Sequence, residues 1–514
     1  MLIVFKGLIW SGLDAAGGAG VHGLHLCQYQ DEDHLCFWQG EQKGIHGSGL
    51  GVIMNNHYEI VKTVQSVGAM SSADFHEFRL TQTNSALLTV YRPQFSKSRW
   101  LLDSCFQEVD LTDGHLIFEW CAVDHIHTDE SRVPFDSYEM VGDAETKETA
   151  WDFVHLNSVD KFAGGDYLVS ARHMDAILRI SHVDGSIVWR LNGDRSNFLM
   201  REVCFHRQHD ARLIEENNSS LLITVFNNDG DGVTRKGYPS SGLILRVDLE
   251  NETAEEVAKF RNPVEALAES DKMGNLLTLP GDHIFMGFGE NSTMSEFSPD
   301  GTLLWTAGFG SGSSNYRAFK SHWTGEPVQP PALWTYSKSN QSPMTFYASW
   351  NGATDVLGWR FYASDKKDGG YELVGTADKV GFETNYTLTQ SRPWGFVEAY
   401  GRYGSLKNSS KVKTYLPESR IADDCGIFHC FPDPSPKPIT TLPDPVPSVN
   451  EPEPISVSPP PQTHTDVFLY VEHLLAIAGL VFFLWHGWKF IRKPRTYSWK
   501  YSQIRKDEEE TIMV

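Results

Sequence analysis

From Leu35 onward, apolar and polar residues alternate in short runs, and tight turns carrying Asp and Gly separate the runs. Successive side chains of a strand point to opposite faces, so this pattern predicts half-buried β-strands rather than helices. One unit recurs: an alternating strand, a turn, a second alternating strand and often a tryptophan. It reads EVDLTDGHLIFEW ending at Trp120, RISHVDGSIVWRL with Trp189, SEFSPDGTLLWTA with Trp305, and in degenerate form LRVDLENETAEEVAKF around Glu250 and Asn251. Recurring hairpins predict an all-β fold of the β-propeller type, in which each blade is one small antiparallel sheet. Blades of about 45 residues fit about six times between Leu35 and Tyr316, so a six-bladed propeller is expected over residues 35–330. A large β-sandwich is the competing architecture.

Pro327, Pro330 and Pro331 close that region. Beyond them the Trp350, Trp359, Phe361 and Tyr362 stretch and a late Ala399-Tyr400 strand predict a small fibronectin-III-like β module over 343–405. A proline-rich run over 431–465 cannot build a packed core and predicts an extended stalk. The apolar run Val467–Phe490 is long enough to span a bilayer, though Glu472 and His473 lie within it. Lys489, Arg492, Lys493 and Arg495 follow it, which predicts a cytoplasmic tail over 491–514 and a body facing the lumen or the exterior, in a single-pass membrane protein of the secretory pathway. The competing reading lays the apolar segment on the bilayer surface. Residues 1–34 read as a poor leader: the apolar start is short, Lys6 interrupts it, and no small-residue cleavage site follows.

The chain has 514 residues, 15 Trp, 29 Phe and 18 Tyr, the mix expected of many short strands. Its formal net charge of −22 argues against nucleic acid as a partner, which requires a basic footprint. An anionic substrate must therefore be held by local histidine and arginine. Sequons at Asn217, Asn218, Asn251, Asn291, Asn340, Asn385 and Asn408 all precede the apolar run and agree with a secreted face. Of the seven cysteines, Cys105 and Cys121 are equidistant from Asp113, so a hairpin turning there sets them opposite each other. Cys425 and Cys430 are close enough to close a small loop, and the odd count leaves a free thiol.

Three polar clusters, HLNSVD, SARH and RQHDAR, sit at strand edges between Trp151 and Arg212, where a rigid scaffold presents chemistry. Alternation places His76 on a face with Phe78 and Leu80, and His155 with Trp151 and Phe153. It places Arg172 with Leu168 and Ser170, and His209 with Phe205 and Arg207. A histidine among aromatics is more often a core residue than a catalytic one, and Arg172 has Asp160, Asp166 and Asp210 as candidate partners. Four inward basic groups from different blades change that balance, because inward strands of a propeller converge on its channel. Three imidazoles and a guanidinium there suit a tetrahedral oxyanion. His173 falls on the face opposite Arg172, and Asn157 and Gln208 are candidates to orient the imidazoles. Metal binding is the rival reading: His125 and His127 form an HxH pair that a strand would aim in one direction. Against it, Arg172 repels a cation.

The ordered series FWQG, DFHEF, WDFVHLNSVD, GDYLVSARH, GSIVWRLNG, RQHDAR and SWNGATDV resembles the fungal branch of the arylsulfotransferase (ASST) family, proteins related to the bacterial PAPS-independent aryl sulfate sulfotransferases, from Leu35 to Gly404. The resemblance implies a six-bladed propeller with its active site in the central channel. It implies that His209 is the nucleophile that is transiently sulfated and that His76, His155 and Arg172 hold the sulfuryl oxygens. The partners would be an aryl sulfate donor and a phenolic acceptor, with no cofactor. The competing functions are a non-catalytic membrane-anchored propeller that binds a glycan or protein, and a metal-dependent hydrolase or oxidase.

Overall fold

The repeated hairpins become the outer halves of successive antiparallel sheets. The structure is a computed structural model that describes residues 2–4, 7–68, 72–96, 98–135, 137, 141–230, 239–264, 268–309, 313–417 and 510–513. The first sheet is long: Gly20–Tyr29, Glu32–Lys43 and His46–Met54 run on into Ala73–Leu80, Ser85–Ser96, Arg99–Asp110 and Leu116–Cys121, with Ile60–Val64 at its side. The second joins Leu156–Lys161, Tyr167–Ala171, Ala176–Ile180 and Ile187–Leu191 in chain order. In the third, His209–Glu216, Ser220–Asn227, Ser241–Asp248 and Thr253–Phe260 are followed by Leu199–Arg201, which runs parallel to Thr253–Phe260. The fourth joins Asn275–Thr278, Ile284–Gly287, Thr293–Phe297 and Leu303–Gly308. The three units that carry a tryptophan are the last pair of strands of their sheets, with Trp120, Trp189 and Trp305 on the final strand.

Inner and outer strands differ in burial. Leu156–Val159 and the whole of Tyr167–Ala171 are buried, whereas Leu303–Gly308 at an outer edge is mostly exposed. Neighbouring sheets cover one another. Phe106 and Trp120 of the first pack with Val169 and Leu178 of the second, Leu168 and Trp189 of the second with Ile223 and Leu245 of the third, and Phe226 and Phe260 of the third with Leu276 and Phe297 of the fourth. Burial of both strand faces explains why Tyr167–Ala171 reads as a nearly continuous apolar run.

Several expectations need correction. Residues 7–34, read as a leader, belong to the fold: Trp10 and Leu24 are core residues, and Gly20–Tyr29 pairs with Glu32–Lys43. A disulfide joins Cys27 to Cys36 across that pair, a pairing the spacing arguments passed over. Cys105 and Cys121 are direct cross-strand partners and are bonded, and Cys204 is free and exposed. Cys425, Cys430, the 431–465 stalk and the 467–490 apolar run lie outside the described residues. Among the described residues no helix is long and apolar enough to cross a membrane. The backbone of Glu510–Met513 is paired between Phe319–His322 and Leu2–Val4, in a sheet that also holds Gly7–Trp10.

Residues 332–413 form two facing sheets. Ala332–Ser337, Met344–Ser349 and Glu383–Leu388 make one; Gly358–Ser364, Glu372–Asp378, Trp394–Gly401 and Gly404–Asn408 make the other, with Val412–Lys413 at its edge. Trp394–Gly401 alternates between half-buried and buried along its whole length, and its Val397 and Ala399 join Phe346, Trp359 and Phe361 in one core.

At the inner edges of the first four sheets the core is ionic. Glu77 is 1 % exposed and binds Arg317 Nη1 at 3.0 Å through one carboxylate oxygen and Arg212 Nη2 at 2.7 Å through the other. The second oxygen also accepts the Val159 N–H at 3.0 Å. Asp210 completes the set, 3.1 Å from Arg317 Nε and 2.7 Å from Arg212 Nη2. Burial works against the Glu77 carboxylate, but the two guanidinium groups prevail and hold it down at about 2. Its folded value is below the ordinary 4.5, so its contribution to stability is present above that value and is lost as pH falls toward about 2. We expect Glu77→Gln, which leaves two buried cations short of a partner, to lower unfolding stability at pH 7 by about 3–5 kcal/mol. Urea denaturation at a series of pH values should also show the acid-side loss between pH 4.5 and about 2 in the wild type, and a smaller loss in the variant.

Candidate active site

The residues flanking this ionic core carry the chemistry. His76 precedes Glu77, His209 precedes Asp210 and Tyr316 precedes Arg317, so the strands that pair the charges also aim three rings at one space. The ring centroids of His76 and His155 are 4.6 Å apart, and Tyr316 lies 5.6 Å from His76 and 6.4 Å from His209. His76, His155, Arg172 and His209 are 3 to 6 % exposed, so charge at any of them needs a partner close by.

Those partners fix how each ring is turned. The His76 Nδ1–H donates to Asp74, which also accepts the His76 backbone N–H at 2.9 Å. His155 Nδ1 is 2.5 Å from Asp152 Oδ2, and His46 Nε2 is 3.1 Å from the same oxygen. Asp74 is held below the usual carboxylate range: burial opposes this, but His76 and His46 outweigh it. His155 is lowered to about 4, because burial outweighs the pull of Asp152. His46 goes the other way, burial being overcome by its bond to Asp152, and it is the imidazole here whose charged form is favoured.

His209 differs in having no carboxylate partner. Its Nδ1 is 2.7 Å from Asn228 Oδ1, and Asn228 is itself anchored by donating to Ser270 O at 2.7 Å and Met273 O at 3.0 Å. An amide oxygen only accepts, so the proton sits on Nδ1 and the lone pair on Nε2. In the free protein that lone pair accepts the Met273 N–H at 3.2 Å, a long bond that a substrate can displace. Burial first, and then the charge of Arg172, push the His209 imidazole well below 6.5. Arg172 donates from Nη2 to Asp271 O at 3.0 Å.

The strand-face reasoning put these residues together for a reason that does not hold in detail. His155 has φ of 56° just before the Leu156–Lys161 strand, and Arg172 and His173 form a 3-10 turn after Tyr167–Ala171. Neither belongs to a strand, so alternation does not govern where it points. His173, set aside on that ground, stacks on His155 at 4.8 Å and donates its Nδ1–H to Asp152 O at 2.7 Å. Asn157 and Gln208 do not orient imidazoles: Asn157 donates to Gln208 O at 2.7 Å, and Gln208 donates to Ser170, Ala171 and Ala176. They bind the second sheet to the third. His125 and His127 lie between two 3-10 turns, His125 stacks on Trp120 at 5.1 Å, and neither joins a metal-like cluster among the described residues. Sequence reasoning missed His46, Asn228 and Tyr316. The buried aspartates two and three positions before His76 and His155 were a readable signal; Asn228 and His46 had none.

The sequence model of the Arylsulfotransferase (ASST) family matches residues 25–310, more than half of the chain. The chain belongs to that family. No curated protein matches it. Among solved structures, a protein of unknown function from Bacteroides caccae aligns with 11 % identity over 57 % of this chain and 82 % of its own, with a TM-score of 0.33. A virginiamycin B lyase from Staphylococcus aureus aligns with 8 % identity over 67 % of this chain and 95 % of its own, with a TM-score of 0.30.

Histidine-selective NMR of the wild type is expected to show His209 neutral through the range in which an ordinary imidazole, at 6.5, takes up its proton. Asn228→Asp, which places a carboxylate on Nδ1, should move that titration upward. A wild-type His209 that titrates at 6.5 or above removes the basis for a neutral nucleophile.

Proposed function

We propose that this protein transfers a sulfuryl group from an aryl sulfate ester to a phenolic acceptor through a sulfohistidine at His209, without a nucleotide donor. The observation that carries the reading is the state of His209: a buried imidazole that presents its Nε2 lone pair beside Arg172, His76 and His155. Family membership supports aryl sulfotransfer as the reaction class, and the motif series resembles the fungal branch. A closed propeller of six blades, carrying a fibronectin-III-like module, is the architecture that suits this family.

The steps balance without a cofactor. The Nε2 lone pair attacks sulfur, the bond from sulfur to the aryl oxygen breaks, and the phenolate leaves with the electron pair and takes a proton. A phenol oxygen then attacks sulfur, the N–S bond breaks, the phenolic proton is released, and the neutral imidazole is restored. Negative charge grows on the sulfuryl oxygens in both steps, so fixed donors at that position lower the barrier. Arg172 and His46, whose charged form is favoured, are the fixed cations for that task, and His76 and His155 line the same space.

A cavity of about 350 Å³ opens beside the site and is lined by His22, Met273, Phe309, Asn315, Tyr316 and Arg317 among others. His22 stacks on Phe75 at 4.6 Å, so this wall suits an aromatic ring. The buried side-chain amide of Asn315 has no hydrogen-bond partner among the described residues and is placed to meet a phenol hydroxyl.

Metal-dependent chemistry is the second reading, favoured by one observation. Donor atoms of His46, Asp74 and His76, and of His46, Asp152 and His155, lie within 4.8 Å of one another. The third is a propeller that binds a glycan or protein without catalysis. Purified full-length protein should release p-nitrophenol from p-nitrophenyl sulfate, faster with added phenol, and His209→Ala should lower the rate at least 1,000-fold, a loss on the order of that for other essential nucleophiles. Release that survives in His209→Ala, or that depends on a stoichiometric metal in the same preparation, defeats the sulfohistidine reading.

A lumenal or exterior location is supported by the two disulfides and by exposed sequon asparagines. Membrane attachment through Val467–Phe490 belongs to the same reading. Alkaline carbonate treatment of membranes carrying the full chain separates its two forms: an integral span stays in the pellet, and a segment lying on the surface, with Glu510–Met513 paired to the body, is released.

A further inference from the structure

The module over 332–413 exposes an aromatic row that the proposed reaction does not use. In the sheet of Ala332–Ser337, Met344–Ser349 and Glu383–Leu388, Trp334 is the direct partner of Tyr347, and Tyr347 is the direct partner of Asn385. The inward set of that sheet, Phe346, Tyr386 and Leu388 among them, packs in the module core, so Trp334, Tyr347 and Asn385 share the outward face. Trp334 is 51 % exposed, and its ring centroid lies 5.4 Å from that of Tyr347. Asn385 is exposed and opens the triplet Asn385-Tyr386-Thr387, an acceptor for N-linked glycan.

We infer that Asn385 is N-glycosylated and that the first sugars of its glycan lie on the rings of Tyr347 and Trp334. Directly opposed residues on paired strands have Cβ atoms about 4.5–5.5 Å apart, about the reach needed for the innermost sugar, bonded to the Asn385 amide nitrogen, to fold back over the neighbouring ring. The axial C–H bonds of a pyranose carry slight positive charge and meet the negative face of an aromatic ring, while the sugar hydroxyls stay in water. The attachment is a transfer from a lipid-linked diphosphate oligosaccharide: the Asn385 Nδ2 bonds to C1 of the sugar and loses a proton, and the C1–O bond breaks with the lipid diphosphate as leaving group. The disulfides Cys27–Cys36 and Cys105–Cys121 agree with passage through an oxidising compartment, where that donor is found. Asn408, the other sequon asparagine on a strand, faces Glu398 instead of a ring, and provides a control within the same chain.

The test uses the full chain made in a eukaryotic secretory host. Peptide mass spectrometry should find Asn385 occupied. Trimming with an endoglycosidase that leaves one sugar should keep most of the thermal stability, and Asn385→Gln should lower Tm by about 2 °C. In Tyr347→Thr, which removes the ring but supplies a β-branched residue suited to a strand, Asn385 should stay occupied and its Asn385→Gln partner should show no further drop; Asn408→Gln should show no coupling to Tyr347. An unoccupied Asn385 overturns the proposal, and so does an equal drop with and without the Tyr347 ring. Polysaccharide binding by Asn385→Gln protein that is lost in Trp334→Ala overturns it in favour of an external glycan, and a dimer that dissociates in Trp334→Ala overturns it in favour of a second copy.

Discussion

A carboxylate that cannot leave the protein's interior organises this structure. Glu77 is buried beyond the reach of water and is tolerable only because Arg212 and Arg317 reach it from the third sheet and from the segment before Phe319–His322. Those arginines share Asp210, which follows His209 directly. Each charge is costly alone and inexpensive in the set, so the strands that carry them can meet in one register only. The apolar contacts between sheets are non-directional and would accept small slips; the ion pairs would not.

The site draws its character from the same arithmetic of buried charge. Asp74 and Asp152 stand behind His76, His155 and His46, and the bond to Asp152 raises the His46 imidazole. His209 has an amide behind it rather than a carboxylate, and Arg172 nearby. The charged form is favoured at His46, and the neutral imidazole at His209. That division separates groups suited to hold an anion from a group suited to attack it.

Hairpin recurrence and the Cys105–Cys121 partnership were legible because both are local: a turn and an equal count of residues on either side determine which side chains face each other. His76, His155, Arg172 and His209 were legible as a set, though not for the reason first given, since His155 and Arg172 sit in turns where alternation has no meaning. The Cys27–Cys36 pair was hidden by reading residues 1–34 as a leader. Asn228, His46 and Tyr316 were hidden by distance along the chain: nothing near them marks what they meet.

The sequence by itself determined the all-β class, the positions of the outer hairpins and the basic character of the candidate site, because each follows from residue type and short-range periodicity. Only the tertiary structure decided that His209 is turned by Asn228, that Asp152 is shared by two histidines, and that Glu77 joins two distant arginines. Hydrogen bonds and ion pairs act over a few ångströms in space whatever the separation in sequence, and packing of whole sheets determines which groups come within that range.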